Sequence, residues 1–147
     1  MKAPKIVAAC CLSVLIALYV VGAVSIPPGS LRHEVQTLAL WAPIIVGFNR
    51  HDIAKWMAMP LLAFWLLIMI AIWLFLLGWA RIVTGHFFPT EIAMTIVVGI
   101  ASFVGLVSAA RWRTGTAWGA AFGTMFVFLL LQLAVFRVSL IPYVGRR

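Results

Sequence analysis

Of the 147 residues in this chain, 65% are hydrophobic and only 10% are charged. A soluble domain carries about 25% charged residues, so the composition excludes an ordinary soluble fold and leaves no polar tract for a second domain. The net charge of +8 comes from basic residues placed singly at the ends of apolar runs, which is typical of lipid headgroup contacts and not of nucleic-acid binding.

The first apolar run covers about residues 6–26 and follows Lys2 and Lys5. A basic start before an apolar run also resembles a secretory signal, but we expect this run to be retained as the first membrane span. It contains the adjacent residues Cys10 and Cys11, whose spacing suits buried apolar side chains and not a disulfide or a metal site.

Residues 31–48 combine an amphipathic beginning with a short apolar stretch. One helical face carries Leu31 and Val35, and the polar residues 32–34, 36 and 37 take the other face. Pro43 interrupts the apolar stretch, and fewer than about 17 continuous apolar residues are too short to span a bilayer. We therefore predict an interfacial or re-entrant helix here and not a fifth span.

The second span, residues 56–80, has twenty-five residues without an acidic, basic or histidine side chain. Such a helix is about 37 Å long, more than the ~30 Å of bilayer hydrocarbon. Its aromatic residues form a broad surface. The first interpretation is that they fill grooves inside the bundle, and the alternative is that they dock a partner protein or the flat ring of a pigment or quinone. The residues are Phe64, Trp65, Trp73 and Phe75.

The third and fourth spans, residues 92–110 and 115–141, are joined by a tight basic turn. Small residues recur at every fourth position in both, which allows two helix backbones to approach closely in lipid. We predict that these two small faces pack against each other, with contact to another chain as the alternative. The helix-packing residues are Ala101, Gly105 and Ala109 in the third span and Gly115, Gly119 and Gly123 in the fourth.

Folding the third and fourth spans as a hairpin places several polar residues at one membrane face. This cluster offers an acid, bases and an amide to a lipid phosphate or a quinone. The simpler alternative is an ion pair between Glu91 and Arg137 that fixes the helix ends. The cluster consists of Arg81, His86, Glu91, Gln132 and Arg137.

Other chemistry finds little support in the sequence. The three histidines fall in connecting segments and not at membrane depth, where haem ligands are expected. No span carries an ionisable residue near its middle, as a coupled transporter would, and no catalytic motif is present. We therefore predict no catalytic residues, no metal and no cofactor beyond a bound lipid or quinone.

The predicted fold is an all-α integral membrane bundle of four transmembrane helices with a short interfacial or re-entrant helix between the first two. Four spans place both termini on one side, which we expect to be the cytoplasmic side of a bacterial inner membrane. The predicted function is that of a non-catalytic accessory subunit of a larger membrane complex, respiratory or photosynthetic. The alternative is a small protein that binds or transports a lipid, quinone or other hydrophobic molecule near Glu91.

Overall fold

The computed structural model describes residues 3–24, 30–80 and 87–141. Four long helices, α1 (Ala3–Val24), α4 (Ile53–Leu76), α5 (Pro89–Arg111) and α6 (Trp118–Ser139), are each long and apolar enough to cross a membrane. Between α1 and α4 lie α2 (Ser30–Thr37), a 3₁₀ turn (Leu38–Leu40) and α3 (Trp41–Phe48). The predicted all-helical membrane fold, with four long helices and shorter helical segments after the first, is confirmed.

Local hydrogen bonds cap two of the ends of the long helices. At the end of α4, the Trp79 amide donates to the Leu74 carbonyl at 2.9 Å, and Gly78 adopts a left-handed conformation with φ of 75°. This arrangement is common where glycine follows a helix, because glycine takes a positive φ without steric cost. At the start of α5, the Phe88 amide donates to the Glu91 carboxylate at 2.9 Å.

Helix α1 lies at the centre of the bundle. It packs most extensively against α5 and also contacts α2, α3 and α4. Val7, Cys11 and Val14 of α1 are fully buried and meet Leu61 of α4 in the core. The remaining long helix, α6, lies at the edge, where it packs against α4 and α2.

The small face of α5 is used inside the bundle, but its partners differ from the prediction. A Cβ atom placed on Gly105 would lie 2.7 Å from Leu62 Cδ1 of α4 and 3.0 Å from Cys10 Cβ of α1. Ala109 is fully buried, and Ala101 packs against the core at partial exposure. The central position of α1 explains this arrangement, because α1 occupies the side of α5 where α6 was expected.

The predicted pairing of α5 with α6 through their small residues is therefore wrong for the described chain. A Cβ atom on Gly115, Gly119 or Gly123 would meet no other atom within 4 Å. Gly119 and Gly123 lie on the exposed side of α6, and α6 turns the opposite side toward the bundle. The reason is that α6 is held by polar residues, as described next, and not by its glycines.

Candidate functional site

A buried polar network joins α2 to the second half of α6. Gln36 Nε2 donates to Ser139 Oγ at 3.0 Å, and Ser139 Oγ donates to the Phe136 carbonyl at 2.6 Å. Gln132 Nε2 donates to the Gln36 carbonyl at 3.4 Å. Burying an amide or hydroxyl is costly unless it is hydrogen-bonded, so these bonds keep α6 in one rotational setting against α2. We call Gln36, Gln132 and Ser139 the polar network.

Three polar atoms at and beside this network are buried without a hydrogen-bond partner. They are Gln132 Oε1, His33 Nδ1 and Arg32 Nε. His33 lies within hydrogen-bonding reach of Gln36 and within electrostatic range of Glu91 at the start of α5. The polar side chains of α2 therefore extend from the beginning of α5 to the polar network. The three unpartnered atoms provide hydrogen-bond donors and an acceptor that the described residues do not use.

The predicted cluster is described only in part. Arg81 and His86 lie outside the described residues. Glu91 is in the first turn of α5, Gln132 is fully buried, and Arg137 is exposed in the last turn of α6. What links Glu91 to Gln132 is α2, which the sequence-based hypothesis did not include.

Sequence reasoning missed Gln36, His33 and Ser139 as members of this site. Their signal was the polar face of residues 31–48, which we had interpreted as facing the lipid headgroups. Gln36 is 4% exposed and Thr37 is fully buried, so part of this polar face points into the protein. In lipid the polar side of a short helix is satisfied by protein groups as readily as by water.

Two of the four aromatic residues proposed for docking are used inside the protein. The Trp65 side chain is 2% exposed and contacts the Phe64 ring edge to face, at 5.6 Å between centroids. Phe64 in turn packs against Phe136 of α6 at 5.2 Å. Phe64 packs between α4 and α6, and Trp65 belongs to the buried core, which corrects the interpretation of these two residues as a surface for a partner.

The other two aromatic residues lie nearer the end of α4. Phe75 packs against Phe87 at 6.1 Å between ring centroids. Trp73 lines an open groove of about 440 Å³ between α4 and α5, together with Met69 and Gly99. The groove is lined almost entirely by apolar groups, so it suits a hydrocarbon chain or an apolar side chain and offers little to a polar ligand.

At the opposite end of the bundle, Lys55 forms a structural contact. Its Nζ donates to the Trp112 carbonyl at 2.7 Å and lies 4.6 Å from the centre of the Trp56 ring. The Asp52 carboxylate accepts a hydrogen bond from the Gly115 amide at 3.3 Å. These bonds connect the start of α4 to the turn between α5 and α6.

Within the described ranges, the structure contains no group of three or more His, Cys, Asp or Glu side chains arranged to hold a metal ion. Cys10 and Cys11 are free and buried. Among the described residues, Arg32, His33 and Gln132 are the group of unpartnered polar atoms that lies at the polar network, and Trp56, Trp65 and Ser102 each have one such atom elsewhere on α4 and α5.

The fold defines a multi-span helical membrane protein. Comparison of the chain with protein-family models, with curated proteins and with solved structures gives no match. A functional assignment therefore has to be argued from the residues and contacts described above.

Proposed function

We propose that this protein is a non-catalytic accessory subunit of a larger membrane complex, which it contacts through the outer side of α6. The observation that carries the proposal is a pair of glycines on that side with no neighbour among the described residues. The setting we propose is a respiratory or photosynthetic electron-transport complex of a bacterial inner membrane. A small and almost wholly apolar chain without a soluble domain suits a supporting role in such a complex.

The outer side of α6 presents small and large apolar residues in one stripe. Residues three or four positions apart share a helical face, because each residue turns the helix by about 100°. On the opposite side, Ala121 and Gln132 are buried against the bundle. The outward stripe, which we call the glycine face, consists of Gly119, Gly123, Phe126 and Leu130, all of them exposed.

Such a face favours contact with another helix. Lipid tails are as apolar as leucine side chains, so helices associate in membranes by close packing, which small residues four positions apart allow. Glycine inside a helix costs about 0.5–1 kcal/mol relative to alanine. Within residues 3–24, 30–80 and 87–141, no contact offsets that cost at Gly119 or Gly123, because no atom comes within 4 Å of a Cβ placed there. A partner helix packed on the glycine face would provide the missing contacts.

The test replaces both glycines by leucine in the full-length protein. The variant Gly119→Leu/Gly123→Leu should fold normally, because both positions are exposed and a Cβ atom at either one meets no described atom within 4 Å. Leu131→Phe is the control, since Leu131 is also exposed on α6 but lies about 120° from Gly119 and about 80° from Gly123.

After extraction in mild detergent, the wild-type protein and the control should migrate with a large complex at fixed stoichiometry. The double variant should migrate alone with unchanged helical circular dichroism. Unchanged association of the double variant, or a wild-type protein that migrates alone, would contradict the proposal.

A second candidate function is the binding of a lipid, quinone or other hydrophobic molecule with a polar head. The observation that favours it is the set of buried, unpartnered atoms at Arg32, His33 and Gln132. Native mass spectrometry of the purified protein should then detect a bound molecule that Gln132→Leu reduces at least tenfold. Leu133→Ala, a change at the exposed neighbouring residue, should retain it. A wild-type protein without bound mass would exclude this function.

A further inference from the structure

We infer that residues 30–48, which we call the broken helix, cross the membrane as a fifth span interrupted near its middle. This inference goes beyond the proposed function and does not depend on it. It changes the topology, because five crossings place the beginning of α1 and the end of α6 on opposite sides of the membrane. It replaces the expectation that both termini face the cytoplasm.

The beginning of the broken helix lies at the end of the bundle where α6 terminates. Gln36 Nε2 donates to the hydroxyl of Ser139, which is the last residue of α6. His33, one turn earlier, lies within electrostatic range of Glu91 in the first turn of α5. The broken helix therefore starts beside the C-terminus of α6 and the N-terminus of α5.

The end of the broken helix lies at the opposite end of the bundle. A Cβ atom on Gly47 would be 2.9 Å from Ala8 Cβ, 3.3 Å from the Pro4 carbonyl oxygen and 3.6 Å from Ala54 Cβ. Pro4 lies in the first turn of α1 and Ala54 in the first turn of α4. The final turn of α3 is thus held where α1 and α4 begin.

The long helices confirm that these two ends are far apart. Lys55, near the start of α4, bonds to the carbonyl of Trp112, directly after α5 ends. Helix α5 therefore begins at the end of the bundle where α6 terminates, beside the start of the broken helix. It finishes at the opposite end of the bundle, beside the end of the broken helix. Because α5 itself is long enough to cross a membrane, the broken helix traverses the same thickness.

The length of the broken helix agrees with a complete crossing. Two α-helices of eight residues each and a 3₁₀ turn of three residues form the segment. At about 1.5 Å per α-helical residue and about 2.0 Å per 3₁₀ residue, the segment rises about 30 Å, the thickness of the hydrocarbon layer.

The interruption is tolerated because one side of it is covered by protein, while Leu38 and Trp41 on the other side are exposed and apolar. Irregular backbone at membrane depth requires shielding from lipid. Three residues around the break are fully buried. Thr37 precedes the 3₁₀ turn, Leu40 lies in it, and Pro43 lies in the first turn of α3. The Thr37 hydroxyl donates to the Glu34 carbonyl at 2.9 Å, which satisfies one carbonyl near the break. A hydropathy pattern misses this crossing because its first turns carry polar residues, of which Gln36 and Thr37 face the interior.

Labelling of single introduced cysteines in the full-length protein tests the inference. Three variants at exposed positions serve as references, because successive positions lie on opposite membrane faces in either topology. They are Asn49→Cys, Thr90→Cys and Gly115→Cys. Val24→Cys, at the exposed end of α1, decides between topologies. The unmodified protein, whose two native cysteines are buried, gives the background.

In sealed vesicles, a membrane-impermeant maleimide should label Val24→Cys from the same face as Thr90→Cys. It should label Asn49→Cys and Gly115→Cys from the other face. Labelling of Val24→Cys from the same face as Asn49→Cys would overturn the inference. As a second measurement, short epitope tags at the two termini of one full-length protein should be protected from protease on opposite sides. Protection of both tags on the same side would also overturn it.

Discussion

Gly105 allows the contact between α1, α4 and α5 to be tested with a single methyl group. A Cβ atom on Gly105 would lie 2.7 Å from Leu62 Cδ1 and 3.0 Å from Cys10 Cβ. A Cβ atom on Gly99, in the same helix, would come no closer than 3.9 Å to Met69 Cβ. Alanine at either position gains a similar helix propensity of about 0.5–1 kcal/mol. The difference in stability between the two variants therefore isolates the steric cost at Gly105.

The expected size of this difference follows from which neighbour can move. Leu62 Cδ1 is the end of a flexible side chain and can rotate away, whereas Cys10 Cβ is fixed to the backbone of α1. Adding a methyl group to a well-packed core costs about 1–3 kcal/mol. Because rotation relieves one of the two contacts, we expect Gly105→Ala to be about 1–2 kcal/mol less stable than Gly99→Ala.

The assay is reversible unfolding in mixed detergent micelles, followed by tryptophan fluorescence and circular dichroism, with both variants measured under identical conditions. Equal stability of the two variants, or greater stability of Gly105→Ala, would show that α1 does not approach α5 as closely as described. A destabilisation of Gly105→Ala that Leu62→Ala fully relieves would place the conflict at Leu62 alone.

Three further predictions can be measured by the same unfolding assay. Lys55→Met should lose about 1–2 kcal/mol, because its charged hydrogen bond to the Trp112 carbonyl is removed; a change below about 0.5 kcal/mol would refute a structural role. Trp65→Ala should lose about 3–5 kcal/mol, since this side chain is 2% exposed, whereas Trp79→Ala, at 78% exposure, should stay within about 0.5 kcal/mol. Gln132→Leu should be nearly neutral in ligand-free protein, because the lost bond is long and the unpartnered Oε1 is removed with it; a loss above about 2 kcal/mol would contradict this.

The four long helices could be predicted from the sequence because each contains an uncharged apolar run of sufficient length. Their boundaries shifted by a few residues where local caps intervene. At the start of α4, the predicted span begins at residue 56, whereas the helix begins at Ile53, so Lys55 lies within the helix and is 8% exposed. A lysine can remain charged there because its ammonium group meets a carbonyl and an aromatic ring.

The pairing of helices could not be predicted from the sequence. In lipid all sides of a helix are apolar, so the pattern of apolar residues does not show which side faces the protein. The small residues of α5 and α6 match in depth, but depth does not fix rotation about the helix axis. That rotation is decided in α6 by Gln132 and Ser139, whose hydrogen bonds with Gln36 are possible only when Gly119 and Gly123 point outward.

The candidate site was predicted in part for the same reason. Gln132 was recognised as an unusual polar residue in an apolar span, but its partner was sought on α5 and found on α2. The polar face of α2 can point toward lipid headgroups or toward protein. Both orientations produce the same pattern of polar and apolar residues in the sequence. The buried Gln36 shows that the second applies to part of that face.

The two sides of α6 explain why this helix is so little buried in its own bundle. Only 11% of its apolar window is buried, compared with 50% for α1. A helix at the edge of a bundle gains few packing contacts, so its rotation depends on the few directional contacts that it makes, which are the hydrogen bonds to Gln36. Because those bonds fix the rotation of α6, they also fix the direction in which the glycine face points. A change in the polar network should therefore weaken partner binding even though no network residue touches the partner, and Ser139→Ala combined with the migration assay for the complex would measure that dependence.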